Sequence, residues 1–266
     1  ERCNNNCIHC CINQPADDLG IQERELSIER IKEILKEAVS LGCLKVRFTG
    51  GEPLLREDFA ELYIFARKLG LMVLIFTNAT LITPHLAGVL AHIPPLDKIE
   101  VSVYGIKRSS YEAVTRVSGS YEACWRGINL LLEYRVPFVV KAALLPANKE
   151  EMEEFEAWAA TIPGMDKPPS YSMFFDLRCR RDEEKNRLIR SIRVSPEEGL
   201  KVFTQRKDKY IKEMCDFCSR FTRPPGDKLF SCGSGIGGGC VDAYGVFQPC
   251  LPLRQADCAY NLKNGS

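Results

Sequence analysis

No stretch of this sequence is apolar for the roughly 20 residues that a membrane-spanning helix needs, and Glu1 is followed by neither a basic n-region nor an apolar h-region. These absences set the expectation of a soluble, cytoplasmic protein with no membrane partner. Net charge is lacking too: 36 Lys and Arg stand against 35 Asp and Glu, a balance of +1. Without a basic excess there is no electrostatic case for nucleic acid or an anionic surface as the main partner. Low-complexity segments are missing, and no internal repeat appears beyond an alternation of strand and helix, which sets aside repeat arrays.

What the sequence has in excess is cysteine, with 13 in 266 residues. A secreted disulfide scaffold would be shorter and would follow an export signal, so metal ligation is the better reading of so many thiols. A hydrophobic content of 45% over 266 residues can bury a full core, as one large domain or two smaller ones. Cys3 comes too early for an element to lead into it, and Asn264-Gly265-Ser266 reads as the middle of a loop. Both ends are therefore expected to be interrupted.

Periodicity predicts a helix from Ser27 to about Leu41 and a strand over Leu44 to Phe48, then a helix from Asp58 to Leu69 and a strand over Leu71 to Phe76. The same rhythm continues with a helix from Pro84 to His92 and a strand over Lys98 to Val103, then a helix from Tyr121 to Tyr134 and a strand over Pro137 to Leu145. A helix from about Lys149 to Ala160 leads to the last expected strand, Tyr171 to Phe175. Repeated βα units imply a parallel sheet with helices outside. After Arg178 the pattern gives way to the charged segment Arg180 to Arg193, a helix from Ser195 to about Met214, and a tail from Cys215 rich in Cys, Gly and Pro. That tail holds six of the 13 cysteines and little helical periodicity, so bound metal is expected to order it.

Chemistry concentrates at Cys3-Asn4-Asn5-Asn6-Cys7-Ile8-His9-Cys10. Three thiolates in eight residues can wrap a cubane while leaving its fourth iron without a protein ligand. Zinc would want four tetrahedral ligands, and Cys11 is awkwardly placed as the fourth because it adjoins Cys10. Right after a predicted strand comes Gly50-Gly51-Glu52-Pro53, where glycines at the carboxyl end of a parallel strand let backbone approach a ligand. Taken alone, Gly-Gly is also an ordinary turn.

Together these two motifs resemble the radical S-adenosylmethionine superfamily. The resemblance implies that Cys3, Cys7 and Cys10 hold the catalytic [4Fe–4S] cluster, that His9 lies near the adenine, and that the backbone of Gly50, Gly51, Glu52 and Pro53 contacts the amino group of S-adenosylmethionine. Thr77-Asn78-Ala79-Thr80 resembles the family's third-strand element with Ala at the glycine position, making Asn78 a site residue. Ser102 resembles the ribose-contacting residue, and Lys141 sits where a residue near the S-adenosylmethionine carboxylate is often found, though a lysine snorkelling from a strand end is the commoner reading of such a position. Ser102-Val103-Tyr104-Gly105 with Ser118-Gly119-Ser120-Tyr121 looks most like the branch that modifies peptides.

In the tail, Cys215-x2-Cys218-x13-Cys232 and Cys232-x12-Gly245-x4-Cys250 resemble the SPASM and twitch arrangements. Both imply at least one auxiliary iron–sulfur cluster, with Cys215, Cys218, Cys232 and Cys250 as ligands and Cys240 and Cys258 as possible replacements. A structural zinc on the same thiolates is the competing reading. Of the rest, Cys43 and Cys124 read as small buried hydrophobes, while Cys179, after the last strand, could act on a substrate radical.

The resulting expectation is an α/β protein: a partial (β/α)6 TIM-like barrel over residues 1–194, followed by a Cys-rich auxiliary-cluster region over 195–266. Its implied activity is hydrogen abstraction, as a radical S-adenosylmethionine oxidoreductase or maturase, from a peptide or small protein substrate, with a reductase or a flavodoxin or ferredoxin as electron donor. Maturation of a sulfatase formylglycine, a molybdopterin or a haem is the enzymatic alternative. A non-catalytic zinc module is the alternative of another class.

Overall fold

A computed structural model describes residues 1–173, 175, 183–204, 207–221, 235, 237–251, 253 and 255–263. The chain opens with two short strands, β1 (Arg2–Cys3) and β2 (Gln14–Pro15), paired in parallel around the cysteine loop, and then a short helix α1 (Leu19–Gln22). From there β/α units follow: α2 (Ile28–Ser40), β3 (Lys45–Phe48), α3 (Phe59–Lys68), β4 (Met72–Thr77), α4 (Pro84–His92) and β5 (Leu96–Ser102). Two helices, α5 (Arg108–Thr115) and α6 (Ser120–Glu133), separate β5 from β6 (Val139–Ala143), and α7 (Met152–Ala159) precedes β7 (Ser170–Ser172).

β3 to β7 form one parallel sheet in sequence order. This is the expected α/β partial barrel, with five strands in the main sheet. β1 joins it through the Glu52 N–H, which donates to the Arg2 carbonyl at 2.9 Å. Among the described residues, the outer sides of β3 and β7 have no strand partner.

Alternation along the strands divides the sheet's faces. Val73, Ile75, Ile99, Val101, Val140 and Ala142 are buried in the main core together with Leu62, Tyr63, Leu90, Ile128, Leu131 and Phe155 from the helices. On the opposite face stand Arg47, Phe76, Glu100 and Lys141, with Arg47 and Lys141 both against the Phe76 ring. The helices start where side chains can cap them: Ser27 Oγ accepts from Arg30 N at 3.2 Å, and Thr83 Oγ1 accepts from Leu86 N at 3.2 Å, with Pro84 in the first turn.

The carboxyl-terminal part differs from the expectation. The charged segment contains α8 (Glu183–Ser191), and within and beyond the helix expected over Ser195 to Met214 lie α9 (Pro196–Thr204) and α10 (Lys207–Phe221), with residues 205–206 outside the described residues. α10 therefore carries Cys215 and Cys218 as exposed helical residues, not as loop residues. Beyond it, β8 (Cys240–Val241), β9 (Val246–Gln248) and β10 (Tyr260–Asn261) form an antiparallel sheet in the tail where no strand was expected. This sheet docks on the start of the chain: Leu26 N donates to the Ala243 carbonyl at 2.8 Å, the Arg30 guanidinium to the Leu262 carbonyl at 2.6 and 3.1 Å, and the Tyr244 hydroxyl to a Glu1 carboxylate oxygen at 2.9 Å. Among the described residues, no helix is long and apolar enough to cross a membrane.

Candidate active site

The cysteine loop is held from three sides. On one, Asn6 N and Ile8 N donate to the carbonyls of Thr115 and Val114 at 2.9 and 3.0 Å. These carbonyls lie at the carboxyl end of α5, where the helix has no partners of its own to offer them. On the second side, Asn78 Nδ2 donates to Asn4 Oδ1 at 3.0 Å and lies 3.9 Å from Cys3 Sγ, while Asn4 Nδ2 donates to Thr80 Oγ1 at 2.7 Å. Asn78 Oδ1 accepts from Thr80 N and Oγ1 at 2.9 and 2.6 Å, so the side chain is locked in its own turn. That turn needs Ala79 at φ 60°, the left-handed conformation that glycine adopts freely. The third grip is the Arg2 guanidinium, which forms a fork with both oxygens of Glu25 at 3.0 and 3.1 Å and reaches the Ala16 carbonyl at 2.8 Å.

Gly51 is fixed by sterics. A Cβ there would lie 2.0 Å from the Arg2 carbonyl oxygen, so the missing side chain makes room for β1. Glu52 is buried, with three donors on its carboxylate: Leu54 N at 3.0 Å, Thr77 Oγ1 at 2.8 Å and Asn78 N at 2.7 Å. Burial pushes its carboxyl up to about 7, against the downward pull of those donors. Glu52 thus ties the end of β3 to the end of β4, and Pro53 starts the short 3-10 turn Pro53–Leu55.

Cys3, Cys7 and Cys10 all lie on the loop held at this edge, with Cys7 buried and the other two half-buried. Burial pushes the Cys3 thiol up to about 12 and raises the Cys7 thiol as well; the Glu52 carboxylate and the Cys10 sulfur add to the rise at Cys3, and the Cys10 and Cys3 sulfurs to that at Cys7. Such a set holds negative charge only against an external cation, as the irons of a cluster provide. Unmet polar groups surround it: both amide atoms of Asn5 and Nδ1 of His9 are buried without partners. His9 packs between Tyr104 and Phe175 at 5.1 and 5.0 Å, and burial lowers its imidazole to about 4, which keeps the ring neutral. The donor set and these open groups fit a cluster with a polar ligand beside it. Among the described residues no three His, Cys, Asp or Glu side chains converge as ligands of one ion.

Gly50, Gly51, Glu52, Pro53, Asn78 and His9 thus share the cysteine-loop end of the sheet. Ser102 ends β5 nearby, close to the Tyr104 hydroxyl. Lys141 pairs with Ser102 across the strands, but its ammonium turns to Glu100 at 3.3 Å and to the Phe76 ring at 3.4 Å. Burial lowers its pKa and Glu100 pulls it back up. Cys215, Cys218 and Cys250 lie in the carboxyl-terminal part, Cys240 stands on β8, and Cys258 is exposed. Cys179 and Cys232 fall outside the described residues. Asn4, Thr80, Arg2 and α5 were not read from the sequence as parts of the site. Asn4 lay in the Asn run between the cysteines and Thr80 in the Thr77-Asn78-Ala79-Thr80 element; Arg2 and α5 left no signal.

The fold and the loop together define a class: the model of the radical SAM superfamily matches residues 1–159, and the chain belongs to that superfamily. Its members' [4Fe–4S] cluster and S-adenosylmethionine are accordingly this chain's cofactors. Among particular relatives, the chain is 27% identical over 184 residues to the AdoMet-dependent heme synthase of Methanosarcina barkeri, covering 69% of this chain and 50% of that protein. It is 31% identical over 159 residues to the mycofactocin maturase MftC of Mycolicibacterium smegmatis, covering 59% of this chain and 39% of that protein. The chain thus spans half or less of these relatives' lengths. The crystal structure of Streptococcus suis SuiB bound to the precursor peptide SuiA superposes with a TM-score of 0.65 at 16% identity, over 96% of this chain and 59% of that one, and shares the fold.

Proposed function

We propose that this chain is the radical-generating core of a maturase that abstracts hydrogen from a ribosomally made precursor peptide or small protein. Bound at the loop, the cluster and S-adenosylmethionine supply reductive cleavage of a C–S bond and with it a 5′-deoxyadenosyl radical. Cys3, Cys7 and Cys10 hold the cluster. The observation that carries the reading is that Cys3, Cys7 and Cys10 share one loop pinned against the Glu52 and Asn78 end of the sheet, with the Cys3 and Cys7 thiols desolvated there.

Around them the chain's residues divide the work. Asn78, Asn4 and Thr80 fix the loop, and Glu52 fixes Asn78. The backbone of Gly50 to Pro53 receives the amino group of S-adenosylmethionine, Ser102 its ribose, His9 its adenine, and Lys141 its carboxylate. Cys215, Cys218, Cys232 and Cys250 hold an auxiliary cluster in a region that begins near residue 195, and a reductase, flavodoxin or ferredoxin delivers the electron. A peptide substrate is supported by the likeness to mycofactocin maturase. The heme synthase match over 184 residues favours a second reading, maturation of a cofactor such as a haem.

Anaerobic reconstitution with S-adenosylmethionine and dithionite tests the core reading, with 5′-deoxyadenosine read by mass spectrometry. Native protein produces it and Cys7→Ala does not. Purified protein carrying zinc without labile sulfide would overturn the reading.

A further inference from the structure

A run of rings leads away from the cysteine loop. Between ring centroids, His9 stands 5.1 Å from Tyr104, Tyr104 5.8 Å from Tyr111, Tyr111 5.8 Å from Tyr121, Tyr121 5.8 Å from Trp125, and Trp125 4.6 Å from Trp158. After His9 every ring is a Tyr or a Trp, the aromatic side chains most readily oxidised by one electron. The chain has 2 tryptophans, and both lie on this run. It starts at the site, where the Tyr104 hydroxyl faces Cys7 and Ser102, passes through fully buried Tyr111, and ends at half-buried Trp158 on α7.

Packing alone does not explain this composition. The Tyr111 hydroxyl is buried against the Cys124 thiol without a well-formed hydrogen bond, and Trp125 Nε1 is buried without an acceptor. Each unmet group costs desolvation that a phenylalanine would avoid. Phenylalanine is used in the same core, at Phe155 beside Trp158. At Tyr111 and Trp125, then, oxidisable rings stand where apolar ones would pack at lower cost, while the Tyr121 hydroxyl donates to the Ile106 carbonyl at 2.8 Å.

We propose that Tyr104, Tyr111, Tyr121, Trp125 and Trp158 form a radical drain, carrying an oxidising equivalent from the cysteine loop to the surface when a radical made there misses its substrate. The origin of that radical rests on the function proposed above. In the first step the carbon radical takes the hydrogen atom of the Tyr104 hydroxyl: a C–H bond forms, the O–H bond breaks, and Tyr104 is left as a neutral phenoxyl radical. Each later step moves one electron inward, the donor ring losing a proton and the acceptor ring regaining one, so the vacancy travels outward to Trp158. There one electron from the low-potential donor that drives the enzyme, dithionite in vitro, and one proton from water restore the indole. The net change is reduction of the stray radical by one electron and one proton, and no residue is altered.

The relay is tested without any cofactor by pulse radiolysis of the full chain with azide radicals, which oxidise indoles first. The expected signal is an indolyl radical that decays with first-order kinetics, unchanged on dilution, while phenoxyl absorbance rises in step: with no reductant at the surface the vacancy runs down to the more easily oxidised tyrosines, which reports the connection, whereas in the working enzyme reduction at Trp158 pulls it outward. Tyr121→Phe keeps the ring but breaks the relay and loses this phase, whereas Tyr171→Phe, off the run beyond Phe155, keeps it. The reverse pattern, or a decay rate proportional to protein concentration, overturns the proposal. A second arm incubates reconstituted enzyme with S-adenosylmethionine and dithionite without substrate and maps oxidised residues by peptide mass spectrometry. Damage concentrates at Trp158 in the native chain and retreats to Tyr104 and residues 1–15 in Tyr121→Phe; identical maps overturn the drain. If no S-adenosylmethionine is cleaved, the maturase reading fails while the radiolysis result still judges the relay.

Discussion

Replacing Gly51 by Ala tests how the sheet places Cys3. An ideal Cβ on Gly51 would lie 2.0 Å from the Arg2 carbonyl oxygen, 2.5 Å from its carbon and 2.5 Å from the Glu1 carbonyl oxygen. All three are backbone atoms, so no rotamer change relieves the overlap. β1 must withdraw by about 1 Å or more to restore ordinary contact distances. Overpacking of this kind costs about 1–3 kcal/mol, and stretching the 2.9 Å bond from Glu52 N to the Arg2 carbonyl adds about 1 kcal/mol. The combined loss of roughly 2–4 kcal/mol lowers the melting temperature by roughly 4–16 °C in a chain of this size. Cys3 follows Arg2 directly, so its thiol is displaced and anaerobic reconstitution takes up less iron and sulfide. Gly50→Ala is the contrast: at φ 137° a Cβ there meets nothing within 4 Å, so it costs only backbone strain of about 1–2 kcal/mol and leaves β1 in place. The reasoning is refuted if Gly51→Ala keeps native melting and full iron, or if Gly50→Ala loses more iron than Gly51→Ala.

Two further outcomes follow from the same edge of the sheet. Arg2→Ala leaves the half-buried Glu25 carboxylate without its partner and should cost about 1.5–3 kcal/mol, read by denaturant titration, with Arg2→Lys restoring only part because an ammonium cannot form the fork. Folding raises the Glu52 carboxyl from 4.5 to about 7, so the folded state keeps a proton that the unfolded chain has released. This contribution to stability is fully present below pH 4.5 and is lost as pH rises through about 7, a decline of at most about 3 kcal/mol that pH-dependent melting should show in the native chain and not in Glu52→Gln.

The β/α rhythm was legible because each helix buries one stripe and each strand reads as an apolar run. The helix expected from Pro84 to His92 appears with those bounds, since Thr83 and Pro84 mark its start in the sequence itself. α5 was missed because Arg108–Thr115 is short and interrupts a single crossover with a second helix, yet it is the element whose last carbonyls hold the cysteine loop. The tail strands were missed because two or three residues give no period to read. At the site, the cysteine spacing and the Gly-Gly-Glu-Pro run pointed to residues that do share one edge. The partners of those residues were not visible: whether Glu52 faces a ligand or caps Leu54 depends on how β3 and β4 align, and Lys141 finds Glu100 and Phe76 only through strand register. Nor was it visible that the space left by the missing Gly51 side chain is taken by the chain's own backbone at Arg2.

Among the described residues the outer sides of β3 and β7 carry no neighbouring strand. A sheet margin offers its backbone groups to any extended chain that reaches it. Just past the end of β3 the segment that carries Cys3 covers that margin, with the Arg2 carbonyl accepting from Glu52 N. The stretch that brings the cysteines to the sheet thus also blunts it against stray pairing.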